Sequence, residues 1–175
     1  MLKITLNEVI DHIRNRTYMS GVERDKLRVK ATGEVFTPTE LVLEILENVP
    51  IEKFTDPTKT FLEPSCGDGQ FLGEVLIRKM ENGSTFEQAL STVYGVDLMI
   101  DNCLECIKRL HGVGQEPVIK TIEGTDIPKV WRKDGLNAIF EVNGKISNIV
   151  CADGLLYDYS FGEVETFGQG LFELA

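Results

Sequence analysis

No apolar run in the 175-residue chain approaches the ~18 residues needed to cross a membrane. The N-terminus, MLKITLNEVIDHIRNR, meets charge before any long apolar stretch. No secretory signal is read there, and an intracellular, cytoplasmic protein is expected. Glycine (16) and proline (6) follow no period, which excludes a fibrous repeat. Histidine is scarce, at positions 12 and 111 only, and only Cys103 and Cys106 of the four cysteines lie close in sequence. Tetrahedral zinc needs four ligands and a second short-spaced pair is missing, so no metal is expected. IDNCLECIKRL is periodic for a helix, where thiols pack well as small core groups.

Positive charge is also short. Eighteen Lys and Arg stand against 28 Asp and Glu, for a net charge of −10. A chain this acidic is not drawn as a whole to phosphate backbones. The bases are unevenly placed: residues 13–30 hold Arg14, Arg16, Arg24, Lys26, Arg28 and Lys30 against Glu23 and Asp25. That stretch reads either as a DNA phosphate contact or as a solvated helix face partnered by Glu23 and Asp25, and the second reading is preferred. What is present, 42% hydrophobic and 26% charged residues over one domain's length, is enough for a single core.

Hydrophobic spacing predicts helices over 5–16, 39–49, 69–80, 85–90 and 100–110, with Thr37 or Thr39 capping the second. The stretch 50–59, with two prolines, reads as a loop. Strands are predicted at 60–63 and 92–98. Asn137–Val142, Asn143-Gly144 and Ile146–Cys151 predict a hairpin with a type I′ turn. Residues 115–134 are ambiguous. Strands alternating with helices imply an α/β sheet with parallel core strands.

In such sheets ligands lie beyond the carboxyl ends of the strands. The first strand runs into Glu63-Pro64-Ser65-Cys66-Gly67-Asp68-Gly69, whose glycines permit a tight turn and close backbone approach. The helix that follows offers unpaired amides to an anionic group. The second strand ends at Asp97, placed to accept from two ribose hydroxyls, and the third at Asp153, placed to accept from an exocyclic amine. A third glycine at 73 falls one residue late for a dinucleotide fingerprint, so no diphosphate need be cradled.

GEVFTPTELVLEIL, FLEPSCGDGQFL, VYGVDL and NIVCADGL together resemble the cofactor-binding motifs of S-adenosylmethionine-dependent DNA adenine methyltransferases. The branch is that of type I and II restriction–modification systems. The resemblance covers residues 33–154 in the family order. It implies a truncated Rossmann-like class I methyltransferase fold with a mostly parallel sheet. The divisions expected are a helical, basic segment at 1–32, the S-adenosylmethionine-binding domain at 33–160 and an aromatic, acidic segment at 161–175. By resemblance, Phe36 and Thr37 reach the methionine end, with Thr37 at its carboxylate, and Glu63 faces the ammonium. Ser65, Cys66, Gly67 and Gly69 form the turn beneath the cofactor. Asp97 holds the ribose, Leu98 packs on adenine, and Asp153, beside Gly154, accepts from the adenine amine.

The family's catalytic Asn/Asp-Pro-Pro-Tyr/Phe string is absent, and no Pro-Pro pair occurs anywhere. The corresponding window, Phe167–Leu174, offers only Gln169 and Phe172 as imitators of that string, a poor match. The catalytic residues are therefore left unassigned. Half of the usual sheet is also missing, so the first strand is expected to expose an unpaired edge. Tyr157, Tyr159, Phe161, Phe167 and Phe172 are expected to fold over that edge, the alternative being a second copy or another chain. The expectation for function is a cofactor-binding protein that needs a partner or a second copy to methylate DNA. The alternative is a non-catalytic module that regulates or imitates a restriction–modification subunit.

Overall fold

The computed structural model describes residues 3–16, 37–122 and 138–161. In chain order the elements are α1 (Leu6–Asn15), α2 (Thr39–Glu47), α3 (Glu52–Thr55), β1 (Phe61–Glu63), α4 (Gln70–Glu81), α5 (Phe86–Leu90), β2 (Val93–Asp97), α6 (Ile100–His111), β3 (Ile119–Ile122), β4 (Ala138–Val142) and β5 (Lys145–Cys151). The five strands form one sheet in the order β1-β2-β5-β4-β3. The chain is therefore α/β, as its alternation predicts.

The sheet is mixed rather than mostly parallel. β1 pairs with β2 and β2 with β5 in parallel, whereas β5–β4 and β4–β3 are antiparallel. The cause is the turn read from the sequence: Asn143 (φ 52°) and Gly144 (φ 81°) are both left-handed. That geometry folds β4 directly back on β5. β3, in the ambiguous stretch, is then recruited by β4, and Asn143 fixes its start by accepting the Val118 N–H on its side-chain oxygen at 2.9 Å.

The two sheet faces are covered very differently. Val93, Ile149, Cys151 and Phe140 point to one face and join the main core beneath α4 and α6. Val96, Val150, Ala152 and Ile139 point to the other and meet Tyr157, with Tyr159 and Phe161 packed alongside. The Phe161 ring meets Tyr94 edge-on at 4.9 Å. These aromatics therefore pack locally, but under β2 and β5 rather than across the β1 edge. Leu62 of β1 stays 50% exposed. Phe167, Gln169 and Phe172 lie outside the described residues.

Local chemistry sets the helix ends. Thr5 with Glu8, and Thr85 with Gln88, form reciprocal capping boxes on α1 and α5. α2 has no such cap, since Pro38 occupies that position and has no hydroxyl. Thr39 is the first helical residue, and its hydroxyl accepts from the Gln70 amide at 2.8 Å instead. The 50–59 loop contains α3, which seats buried Phe54 in a stack on Phe61 at 5.1 Å.

α1 belongs to the same core, through fully buried Val9 and Ile13. Arg14 makes a two-bond pair with buried Glu74 (3.1 and 2.9 Å), and Arg16 pairs with Glu105 at 3.1 Å. Two of the six basic residues are thus engaged in folding, with partners on α4 and α6 rather than Glu23 and Asp25. The remaining four, with Glu23 and Asp25, fall outside the described residues.

His111, in the last turn of α6, has its pKa pushed down to about 4 by burial. It is neutral in the folded chain, while the unfolded chain takes up a proton near pH 6.5. Its contribution is complete above pH 6.5 and is lost as pH falls toward 4. Urea unfolding of wild type and His111→Gln should show the wild type losing on the order of 2 kcal/mol relative to the variant between pH 7.5 and 4.5. Parallel pH profiles would contradict this assignment.

Candidate site at the carboxyl ends of the parallel strands

Parallel pairing puts the ends of β1, β2 and β5 side by side. Glu63 pairs in register with Gly95, and Asp97 with Cys151, two residues before Asp153. The carboxylates at 97 and 153 thus lie at the same end of adjacent strands, as their positions in the sequence predict.

The turn after β1 is built on its two glycines. Cys66 donates its N–H to the Val96 carbonyl, and Gly69 donates back to the Cys66 carbonyl, both at 2.9 Å. Gly67 (φ 53°) and Gly69 (φ 85°) adopt the left-handed backbone this requires. At Gly69 a Cβ would also sit 2.6 Å from the Cys106 sulfur, so space as well as backbone demands glycine. Gly69 is the N-cap of α4 and carries no side chain to satisfy the first amides of that helix. The N-terminus of a twelve-residue helix therefore faces the cleft with its partial positive charge.

Asp97 locks this turn to the rest of the sheet end. Its Oδ2 accepts from Gly67 N–H at 3.0 Å. Its Oδ1 accepts from Met99 N–H at 2.8 Å and from the Asn102 amide at 3.0 Å. Asp153 serves its own loop, since Oδ1 accepts from Leu155 N–H at 2.9 Å and its carbonyl accepts from the Leu156 and Tyr157 amides. Gly154 is forced by close packing, because a Cβ there would meet the Pro64 carbonyl oxygen at 2.3 Å.

A cleft of about 90 Å³ opens beside the turn, lined by Thr37, Glu63, Ser65, Cys66, Gly67, Asp68, Gln70 and Phe71. It gathers five of the residues expected at the cofactor: Thr37 and Glu63 of the methionine end, and Ser65, Cys66 and Gly67 of the turn. Gly69, Asp97, Leu98, Asp153 and Gly154 do not line it, and Phe36 lies outside the described residues. Burial holds the Glu63 carboxyl above its usual range, against a smaller opposing pull from the Ser65 N–H. Among the described residues no base lines the cleft. A half-buried carboxylate in such a wall favours a cationic group on a ligand. With the α4 N-terminus close by, the cleft presents complementary charge to a zwitterion.

The four cysteines form no disulfide and are all buried, Cys66 within the turn itself. The contact with Cys106 and then burial push the Cys66 thiol well up, and Cys151 and burial do the same for Cys103. Thiols held protonated in this way are poor nucleophiles and pack as core.

Several residues that shape the site carry no sequence signal. Arg109 reads as an ordinary base in the last turn of α6, yet it is 2% exposed. It donates to the Asp68 carboxylate at 2.9 Å, to the Asp68 carbonyl at 2.8 Å and to the Ile13 carbonyl at 2.9 Å. One guanidinium thus joins the turn, α6 and α1. Asn102 and Gln70 likewise act through tertiary contacts that no spacing announces. Comparison with known proteins gives no match: no family model fits the chain, and no curated protein or solved structure is significantly similar to it.

Removing one partner of a buried ion pair strands the other charge, at a cost of about 3–5 kcal/mol. Arg109→Met should therefore destabilise the chain by roughly that amount in urea unfolding. Adding Asp68→Asn to Arg109→Met should restore part of the loss. Independent, additive effects would show that the pair does not hold the turn.

Proposed function

We propose that the chain is an S-adenosylmethionine-binding protein with a Rossmann-like, class I methyltransferase fold, similar to the DNA adenine methyltransferases of restriction–modification systems. The observation that carries this reading is the convergence of Glu63, the Gly67–Gly69 turn, Asp97 and Asp153 at one edge of three adjacent parallel strands. The bound groups follow from the chemistry. Glu63 takes the ammonium of the amino-acid end, and Thr37 with the α4 N-terminus takes its carboxylate. Asp97 takes the ribose, Leu98 lies against the adenine, and Asp153 takes the exocyclic amine. Phe36 completes the methionine end by its place beside Thr37.

Methyl transfer to an adenine amine further requires acceptors for the amine protons and a ring for the extruded base. The sequence has no Asn/Asp-Pro-Pro-Tyr/Phe string to supply them. We therefore assign this chain the cofactor half of the task. A partner subunit or a second copy supplies the catalytic residues and the DNA contacts. One observation favours a second reading, a non-catalytic module that regulates or imitates a restriction–modification subunit. That observation is a net charge of −10, which is better suited to mimicking nucleic acid than to binding it.

Calorimetric titration of S-adenosylmethionine into the pure protein tests the reading. Saturable binding is expected, and no heat at high micromolar concentration would remove it. Because burial raises the Glu63 pKa and a bound ammonium favours the carboxylate, affinity should weaken as pH falls through that pKa. Glu63→Gln should bind at least ~10-fold more weakly at pH 7.5 and lose that pH dependence. A variant with unchanged affinity and slope would place the ammonium elsewhere.

A further inference from the structure

We propose that Leu155 and Leu156, at the tip of the turn that follows β5, are a preformed docking knob for a basic protein partner. The inference deepens the reading above by naming where the partner seats and what its face is made of. It rests on that reading only for the partner's task. The knob is built by local bonds. Asp153 accepts the Leu155 N–H on Oδ1 and the Leu156 and Tyr157 amides on its carbonyl. On one side of the leucines, Gly154 packs so close to the Pro64 carbonyl that no Cβ would fit. On the other, Tyr157 is buried in the second core with Tyr159 and Phe161 against it. Between these anchors Leu155 stands 94% exposed and Leu156 46% exposed. A turn pinned at both ends loses little freedom when a partner covers its tip.

The knob has apolar neighbours. Ala152 donates its N–H to the Asp97 carbonyl at 2.9 Å, and Cys151 donates its thiol to the Leu98 carbonyl at 3.6 Å. The loop after β2 therefore leaves the sheet beside the turn that carries the knob. That loop exposes Leu98 (37%) and Ile100 (38%). Four of the ten large apolar side chains exposed among the described residues thus fall in two adjoining stretches at one end of the sheet. Single exposed leucines are ordinary, whereas a group of them marks a contact surface. With Leu98 committed to the adenine, Ile100 and the two leucines remain for a partner.

Charge selects the occupant. The stretches at the carboxyl ends of β1, β2 and β5 (63–70, 97–101 and 152–161) hold Glu63, Asp68, Asp97, Asp101, Asp153 and Asp158, and no Lys or Arg. Arg109 answers Asp68, and Asp97 is buried under three donors. The other four leave this face acidic. A second copy seated face to face would set these acids against themselves, and DNA would bring its phosphates to them. The fourteen residues after Phe161 hold Glu163, Glu165 and Glu173 and no base, so they match no better. A protein with an apolar socket ringed by Lys or Arg suits both the leucines and the acids. Such a partner also carries to this end of the sheet the positive charge that DNA requires.

The experiment titrates the full chain with a synthetic helical peptide of leucine and lysine, and with a lysine–serine peptide of equal charge. Both titrations are repeated on the double variant Leu155→Ser/Leu156→Ser and on Asp158→Lys, with urea unfolding to show that each variant folds. Saturable one-to-one binding of the leucine–lysine peptide is expected, weakening as salt is raised. It should fall at least ~10-fold in the double variant and about three-fold in Asp158→Lys. The lysine–serine peptide should bind more weakly, and equally to wild type and double variant. No binding of the leucine–lysine peptide, or equal binding to wild type and double variant, overturns the knob. So does self-association of the wild type that the double variant abolishes, which would seat a second copy there. S-adenosylmethionine should bind wild type and double variant with equal affinity. Its failure to bind either one overturns the cofactor reading and leaves the docking surface to be judged by the peptides alone.

Discussion

The Asp97 carboxylate is the constraint around which this end of the molecule is organised. Three donors converge on it, from the turn after β1, from the link between β2 and α6, and from α6 itself. It is 7% exposed, so these donors have little recourse to water if it is removed. The same carboxylate thereby fixes how far the glycine turn stands from the helix that carries Arg109 and the buried thiols. The residue proposed to hold a ribose is also the one that holds Gly67, part of the cleft wall. Ligand binding at this point has to exchange hydrogen bonds within the protein for hydrogen bonds to the ligand.

Arg109 does the corresponding work on the far side of the turn. Its three hydrogen bonds draw the α1 carboxyl end and the Asp68 loop to α6. Together with Arg14–Glu74 and Arg16–Glu105, they make α1 a structural support for the Gly67–Gly69 turn. Two of the six basic residues of the 13–30 stretch are thereby accounted for by folding. The mixed sheet follows from an equally local cause, the two left-handed residues at 143 and 144. What the hairpin does not supply is a neighbour for β1, whose Leu62 remains half exposed and whose edge pairs only with β2 among the described residues.

Much of this was legible in the residues themselves. The Gly67–Gly69 turn, the Asn143-Gly144 hairpin and the long amphipathic helices depend on local conformational preference, which spacing records. Asp97 and Asp153 were legible because a strand end is a fixed address in a parallel sheet. The α3 turn was hidden in a proline-flanked loop, because only the tertiary stack of Phe54 on Phe61 makes it worth forming. β3 is four residues long and depends on register with β4, which no window of sequence contains. Thr39 looked like a cap until its hydroxyl was taken by Gln70, a residue on another helix. Arg109 was invisible for the same reason: whether a base at a helix end faces solvent or three buried acceptors is decided by neighbours distant in the chain.

The central claim is that one ligand spans the ends of three strands, from Glu63 to Asp153. The most direct measurement is a crystal structure of the full chain grown with S-adenosylmethionine. The account predicts density for the amino-acid end between Thr37 and Glu63, and for the ribose and adenine over Asp97 and beside Asp153. Density at any other place on the chain, or an adenosyl group lying away from both aspartates, would contradict it.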